Sequence, residues 1–295
     1  YYLRTMGYEV TIYESKERPG GMTMYGIPKY RLPLEIIDRE INLLKEIGVS
    51  FRFNTLVGKD ISFEEIYSTS DAVFLGIGFE LPYKLAIPGE ELKGSIQAID
   101  YLRDINSGKQ IDLGNKIVVI GGGNVAMDAA RVSRRSGAEV TMLYRRRIVD
   151  MPADPEEIEG AEHEGVNIIS QTIPVAVSDD GKGNVKSITY LLAKMEDDPK
   201  GGRPRPVPIE GSETTIEASS IIGAIGQETD FALLNDEWMN KLEVSKGRIV
   251  TNSDRMTSIE KLFAGGDSVN KTADAISAIA DGYKAARGID KLLNS

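Results

Sequence analysis

The chain has 295 residues, enough for two ordinary domains, and its 41% hydrophobic and 27% charged residues are the balance of a globular fold. Its net charge of −10 argues against nucleic acid as the main partner, and no apolar run approaches the ~18 residues that a membrane span needs. With no cysteine and a single histidine, these residues hold no disulfide, no thiolate metal or iron–sulfur ligand and no redox-active Cys pair, and a reducing, cytoplasmic setting fits.

Tyr1–Met6 reads as the last turns of a helix, Gly7 as its stop, and Glu9–Tyr13 as a strand ending at Glu14. The Gly- and Pro-rich stretch Arg18–Pro33 argues against a regular element, and so much loop usually packs along something. Leu34, Ile37, Ile41, Leu44 and Ile47 share one face, which predicts a helix over Leu34–Ile47. A strand at Ser50–Phe53, a helix at Ser62–Thr69 capped by Ser62, and a buried strand Ala72–Leu75 running into Gly76-Ile77-Gly78 follow. Pro82–Gly89 is a connector, and Ile96–Ile105 reads as a helix.

The most informative segment comes next, Lys116–Arg147. An apolar run, Ile117–Ile120, enters Gly121-Gly122-Gly123, a helical pattern runs to Gly137, and a second strand spans Val140–Tyr144. This is the β-α-β pattern that binds dinucleotides. Gly121 permits the tight turn, Gly123 lets backbone approach a pyrophosphate, and Ala126 allows close helix–strand packing. The helix N-terminus offers unpaired N–H groups to the phosphates. Where an NAD site usually places Asp or Glu, this strand runs into Arg145-Arg146-Arg147, whose guanidinium groups match the 2′-phosphate of NADP. Three arginines alone would also fit a solvated charged face; glycine turn, helix and arginines together point to NADP.

Beyond the arginines a polar helix is predicted at Pro155–Glu164, carrying His163 on an exposed face rather than as a catalytic base. Strands follow at Val166–Gln171, Pro174–Ser178 and Val185–Met195, with a turn at Asp179–Gly183. Asp197–Pro208, with four prolines and two glycines, is expected to be an exposed loop. Ser219–Ile225 is a short buried strand ending in Gly226. Leu262–Asp267 gives strand, glycines and Asp, ahead of a long helix from Thr272 whose small face holds Ala275, Ala278 and Ala285.

GYEVTIYE (Gly7–Glu14) and GAEVTMLY (Gly137–Tyr144) share Gly-x-Glu-Val-Thr before an apolar strand, so the chain contains two copies of one unit. The first copy's preceding strand and phosphate loop would lie upstream of Tyr1, which reads as the remainder of a longer chain. The acidic strand end suits a ribose hydroxyl pair and the basic one a phosphate, hence two different dinucleotides.

PGGMTMYGIPKYRLP, VVIGGGNVAMDAARVSRRSGAEVTMLYRRR and LFAGGDSVNKTADAISAIADGYKAARGI together resemble the small (beta) subunit of glutamate synthase and its relatives. Those relatives include the flavin subunit of NADH-dependent ferredoxin:NADP oxidoreductase and the N-terminal half of dihydropyrimidine dehydrogenase. The resemblance implies an α/β fold of two Rossmann-like dinucleotide-binding domains of the disulfide-reductase type. An FAD domain (residues 1–99 and 226–295) is interrupted by an NADPH domain (100–225). It implies FAD and NADPH as cofactors, with hydride passing between NADPH and flavin N5 and electrons passing on to a partner subunit or Fe–S protein. The family's Cys-rich N-terminal domain and first FAD glycine motif are not in this sequence.

By the same resemblance, Glu14 holds the FAD adenosine ribose, and Gly20, Gly21, Met22, Tyr25, Gly26, Ile27 and Arg31 lie along the flavin. Val57 meets adenine, and Gly76 and Gly78 lie beside the cofactor. Gly266 and Asp267 form the second FAD contact, and Thr272, Ala273 and Ala275 bring the last helix's N-terminus to the flavin ring. Gly121, Gly123, Asn124, Val125 and Ala126 form the NADPH phosphate loop, Arg145 and Arg146 grip its 2′-phosphate, and Gly226 lies at the NADPH site. No side chain is nominated as general acid or base, since flavin and nicotinamide carry hydride chemistry themselves. The competing readings are another two-dinucleotide flavoprotein and a non-catalytic NADP-binding module that has lost FAD. The absence of Cys weighs against a disulfide reductase.

Overall fold

Strands and amphipathic helices alternate along the chain and gather into two units, in a computed structural model that describes residues 1–199 and 201–295. One unit comprises Tyr1–Met24, Leu32–Leu81 and Gln227–Ser295; the other comprises Tyr25–Arg31 and Pro82–Gly226. In chain order the first unit supplies α1 (Tyr2–Thr5), β1 (Thr11–Tyr13), α2 (Gly21–Tyr25), α3 (Leu34–Glu46), β2 (Ser50–Arg52), α4 (Phe63–Thr69) and β3 (Val73–Leu75). The inserted unit follows with β4 (Ser95–Gln97), α5 (Ala98–Asn106), β5 (Lys116–Gly121), α6 (Asn124–Arg135), β6 (Glu139–Tyr144), α7 (Pro155–His163) and β7 (Asn167–Ser170). It continues through β8 (Thr172–Asp179), β9 (Val185–Glu196), β10 (Arg205–Pro208), β11 (Thr214–Glu217) and β12 (Ser220–Ala224). The chain then returns to the first unit with α8 (Asp236–Lys241), β13 (Val244–Ser245), β14 (Arg248–Ile249), β15 (Leu262–Ala264) and α9 (Ala275–Leu293).

In the inserted unit a five-stranded parallel sheet runs β4-β12-β5-β6-β7. Its strands are buried on both faces, which is why KIVVI and SIIGA read as continuous apolar runs. On one face Val119, Met142 and Ile222 meet Ala126, Met127, Ala129 and Ala130 of α6, with Ala98 and Leu102 of α5. On the other, Val118, Ile120, Leu143 and Ile221 meet Ile188 and Tyr190 of the antiparallel sheet formed by β8 to β11. Each such fully buried large side chain contributes about 1.5–3 kcal/mol over its exposed state.

The first unit holds two parallel pairs, β1 with β2 and β3 with β15. Its core joins Phe63, Leu75, Leu234, Trp238, Leu242 and Leu262. Trp238 packs edge-on against Phe63 at 4.9 Å while its indole N–H donates to Glu64 at 3.1 Å. Ser62 caps α4 by accepting from the Glu65 N–H at 3.0 Å, as the sequence predicts.

The repeat is visible in hydrogen bonds. After α1 the Gly7 N–H reaches Arg4 O at 3.1 Å and the Tyr8 N–H reaches Leu3 O at 3.1 Å. After α6 the Gly137 N–H reaches Arg134 O at 3.0 Å and the Ala138 N–H reaches Ser133 O at 3.4 Å. Both glycines are left-handed, φ +99° and +95°, and each closes the same helix end before the shared Glu-Val-Thr strand.

Five expectations need correction. Within Arg18–Pro33 a short helix, α2, forms, with Met24 and Tyr25 buried. Strand β3 is half-buried, because its residues alternate and Phe74 is 39% exposed. Ser95–Gln97 forms β4, hydrogen bonded to β12, so the helix begins at Ala98 and residues 82–99 pack with the inserted unit. Arg205–Pro208 leaves the expected loop to become strand β10, because an edge strand tolerates prolines that cannot donate to the ladder. Lys200, inside that expected loop, lies outside the described residues. Finally, α9 begins at Ala275 with Asp274 as its N-cap, so Thr272 and Ala273 precede the helix. Ala275 is exposed and Ala278 half-buried, and the fully buried positions of α9 begin at Asp281 and continue with Ala285, Ala286 and Gly288.

Helices α6 and α7 are joined by a charged clasp. Glu164 accepts from Arg131 at 2.7 Å and from Arg135 at 2.6 Å, and these guanidinium groups hold its carboxyl down to about 2 from the usual 4.5. A depressed carboxylate stabilises the fold above its unfolded pKa and loses that contribution as pH falls toward the folded value. Glu164→Gln should therefore melt below wild type near neutral pH, with the gap closing on acidification from about 4.5 toward about 2. Melting curves across that range provide the check; a gap of constant size would remove the charge as its source.

Candidate functional site

Strand β5 ends in the glycine turn, and each glycine meets a different environment. Gly121 has φ +152°, and a methyl there would overlap the carbonyl oxygen of Ala224 and come within 3.2 Å of the Ala126 Cβ. Gly122 lies beneath the Tyr144 ring, which a methyl would meet at 2.5 Å. Gly123 is open, its nearest neighbour being the Pro152 ring at 3.8 Å. It is also the N-cap of α6 and brings no side-chain cap. The first two glycines let the chain pack, while the third leaves the uncapped helix end accessible, an arrangement suited to an anion. Asn124 ties that end to α7: its Oδ1 accepts from the Asp154 N–H at 2.9 Å and its Nδ2 donates to the Asp154 carboxylate at 3.1 Å. Ala126 is fully buried, and Val125 is half-buried. Gly226 (φ +119°) closes β12 beside the Tyr83 ring.

The three arginines after β6 separate by role. Arg147 is bound to Asp150 at 2.7 Å. Arg146 donates from Nε to the Pro204 carbonyl at 2.7 Å. Arg145 has no carboxylate partner among the described residues, and burial, then the positive charges of Arg146 and Arg203, lower its guanidinium pKa. Arg145 is thus a cation among cations. Arg203 is absent from the sequence-based site; nothing local to it signals a role.

The segment Tyr25–Arg31, expected along the flavin, belongs to the inserted unit. Asn106 of α5, only 7% exposed, donates to the carbonyls of Tyr25 at 3.0 Å and Ile27 at 2.9 Å. Gly26 is buried between them. Arg31 makes a two-oxygen pair with Asp128 at 2.8 and 2.9 Å and reaches Glu157 at 2.8 Å. Burial pushes the Asp128 carboxyl up to about 6 against the opposing pull of Arg31. Tyr30 stacks under Arg135 at 3.7 Å and Arg131 at 4.9 Å.

In the first unit, Glu14 follows β1. Lys16 N–H donates to its Oε1 at 2.9 Å, and burial raises its carboxyl pKa. Gly20 and Gly21 precede and open α2 with φ +127° and +51°, and Met22 is half-buried. Val57 bridges to Ile61 and packs on the core. Gly76 and Gly78 follow β3, and Gly266 and Asp267 follow its partner β15, so these four residues share the end of one strand pair. Asp267 is half-buried, which raises its carboxyl, with Arg248 opposing. The Gly266 turn is organised by Asp281 of α9, a residue that the sequence reading did not single out. Asp281 is 2% exposed and accepts from the Gly266 N–H at 3.1 Å, from Asn270 at 3.2 Å and from Arg255 Nε at 2.8 Å. A lone Asp on the packed side of a small-residue helix was the available signal. Thr272 and Ala273 lie in the turn before α9, Ala273 in left-handed conformation at φ +51°.

A model of the pyridine nucleotide-disulphide oxidoreductase family matches residues 1–282. The chain belongs to that family. This oxidoreductase-family chain is 38% identical over 299 residues to the NADP(+)-dependent formate dehydrogenase subunit beta of Moorella thermoacetica, covering 99% of the chain and 42% of that relative. It is 34% identical over 304 residues to the glutamate synthase [NADPH] small chain of Escherichia coli, covering 96% of the chain and 63% of the relative. It therefore spans less than two thirds of either. Thioredoxin reductase of T. acidophilum matches with a TM-score of 0.75 at 19% identity, covering 100% of the chain and 93% of that structure. That likeness is one of fold, two dinucleotide-binding domains of thioredoxin-reductase type. No helix among the described residues is long and apolar enough to cross a membrane, and no group of three or more His, Cys, Asp or Glu among them could hold a metal.

Proposed function

We propose that this chain is the FAD- and NADPH-binding part of an oxidoreductase that moves reducing equivalents between NADPH and a partner subunit or Fe–S protein. One observation carries the reading: the open Gly123 and uncapped α6 lie in the same unit as Arg145, a guanidinium without a carboxylate partner among the described residues. A pyrophosphate needs the first and a 2′-phosphate the second. Gly121, Gly122 and Ala126 give the turn its tightness, and Asn124 anchors it to α7.

For FAD, both hydrogen bonds that the Glu14 carboxylate accepts among the described residues fall on Oε1, which leaves Oε2 for a ribose hydroxyl. Gly266 and Asp267 follow a strand pair and are held in place by Asp281, with Gly76 and Gly78 alongside. Gly20, Gly21, Met22, Tyr25, Gly26, Ile27 and Arg31 would supply backbone along the ring system, and Val57 a backbone contact to adenine. Arg31 would act by holding that segment rather than as a free cation, since Asp128 and Glu157 occupy it. When bound, flavin and nicotinamide supply the hydride chemistry; the chain orients them and excludes water. The two relatives are named as a beta subunit and a small chain, which supports a partner subunit as electron acceptor or donor.

The full-length protein should be yellow, with absorbance near ~450 nm that bleaches when NADPH is added anaerobically. A colourless protein that still binds NADPH would instead mark a non-catalytic NADP-binding module.

A further inference from the structure

Outside the glycine turn, the β9–β10 hairpin is the feature of the inserted unit that the proposed function leaves unused. Its arms are held to the end of β6 by a chain of backbone hydrogen bonds. The Gln171 N–H donates to Arg146 O at 2.9 Å, and the Ala193 N–H donates to Gln171 O at 2.7 Å. From there β9 pairs with β10, Ala193 opposite Pro208 and Met195 opposite Pro206. A second tie comes from Arg146, whose Nε donates to the Pro204 carbonyl at 2.7 Å. These two ties place Arg203, one residue before that carbonyl, in the electrostatic field of Arg145.

The strand end and the hairpin carry five arginines between them, of which Arg145, Arg146 and Arg203 lie in one another's neighbourhood, and the ion pairs of this region among the described residues occupy only the other two. Arg147 takes Asp150, and Arg205 takes Glu196. Arg145 and Arg203 have no carboxylate partner among the described residues. Two guanidinium groups held near each other without an anion repel, a cost that a doubly charged ligand would reverse. A solvated charge run would instead splay apart or pair with the acidic side chains that this chain has in excess.

We infer that Arg203, delivered by the β9–β10 hairpin, is a specificity-determining residue that joins Arg145 in binding the 2′-phosphate of NADP, while Arg146 is a positioning residue that holds the hairpin. This rests on the proposed NADPH site. The hairpin then acts as a clasp over a strand end that, alone, would offer one well-placed guanidinium.

The test uses the full-length, FAD-loaded protein and equilibrium titrations with NADP+ and NAD+. Arg203→Ala should weaken NADP+ about tenfold, the worth of one charge-assisted contact, and leave NAD+ unchanged. Arg203→Lys should recover part of the loss. Because Arg146 acts through the hairpin, Arg203→Ala should cost much less in an Arg146→Ala background than in wild type. Unchanged NADP+ affinity in Arg203→Ala, while Arg145→Ala binds weakly, overturns the hairpin's role and leaves the site standing. Equal losses for NADP+ and NAD+ would show a structural effect and also overturn it. If Arg145→Ala too binds NADP+ normally, the underlying site reading fails with it.

Discussion

Arg145→Ala should raise the KM for NADPH about 10- to 100-fold while leaving the KM for NADH within about twofold, because one charge-assisted contact to phosphate is worth about 1.5–3 kcal/mol. Arg145 stands at the end of β6 with no carboxylate to release, and its positive neighbours make its unliganded state unfavourable. Loss of this side chain therefore removes ligand binding without breaking an internal pair. Arg147→Ala is the contrast: it removes an exposed side chain already paired with Asp150, and should leave cofactor preference alone. Steady-state kinetics of the FAD-loaded protein with both nicotinamides decide the matter. An Arg145→Ala enzyme that still prefers NADPH as strongly as wild type would end the case for this strand end as the phosphate site.

Gly121→Ala and Gly123→Ala should separate folding from binding, although the two positions lie two residues apart. A methyl on Gly121 overlaps the Ala224 carbonyl oxygen, lies 2.9 Å from its carbon and sits on a backbone at φ +152°. Overpacking and left-handed strain together predict a loss of roughly 2–4 kcal/mol. A methyl on Gly123 meets only Pro152, at 3.8 Å, on an ordinary backbone of φ −96°. That variant should melt as wild type does, yet bind NADP+ at least about tenfold more weakly, because the new methyl stands where a pyrophosphate must approach the helix end. Thermal melts paired with titrations read both. If Gly123→Ala binds NADP+ normally, the pyrophosphate does not lie on this turn.

What could be read from the sequence follows a physical divide. The unit Lys116–Tyr144 was legible because its interactions are local: glycine turn, helix and both strands lie within 29 consecutive residues, and their apolar runs declare burial. The repeat was legible for the same reason, since one left-handed glycine closes each helix. Arg203 was not, because its placement depends on Arg146, 57 residues earlier in the chain. The membership of Tyr25–Arg31 in the inserted unit was also hidden. It is decided by Asn106 and Asp128, partners about 80 and 97 residues away. Strand β10 was hidden by its prolines, which local rules penalise and an edge position tolerates. Asp281 could have been suspected from its place among alanines and glycines, but only the fold shows it reaching the Gly266 N–H.

The tie between Asn106 and residues 25 and 27 has a bearing on how this protein could be dissected or recombined. Cutting out Pro82–Gly226 as a cassette would strand Asn106 with two buried donors and Asp128 with a buried carboxylate, because their partners sit on the other side of a 50-residue detour through the first unit. The transplantable piece is therefore not a contiguous stretch of gene. A working graft would have to carry the seven-residue Tyr25–Arg31 strip along with the insertion.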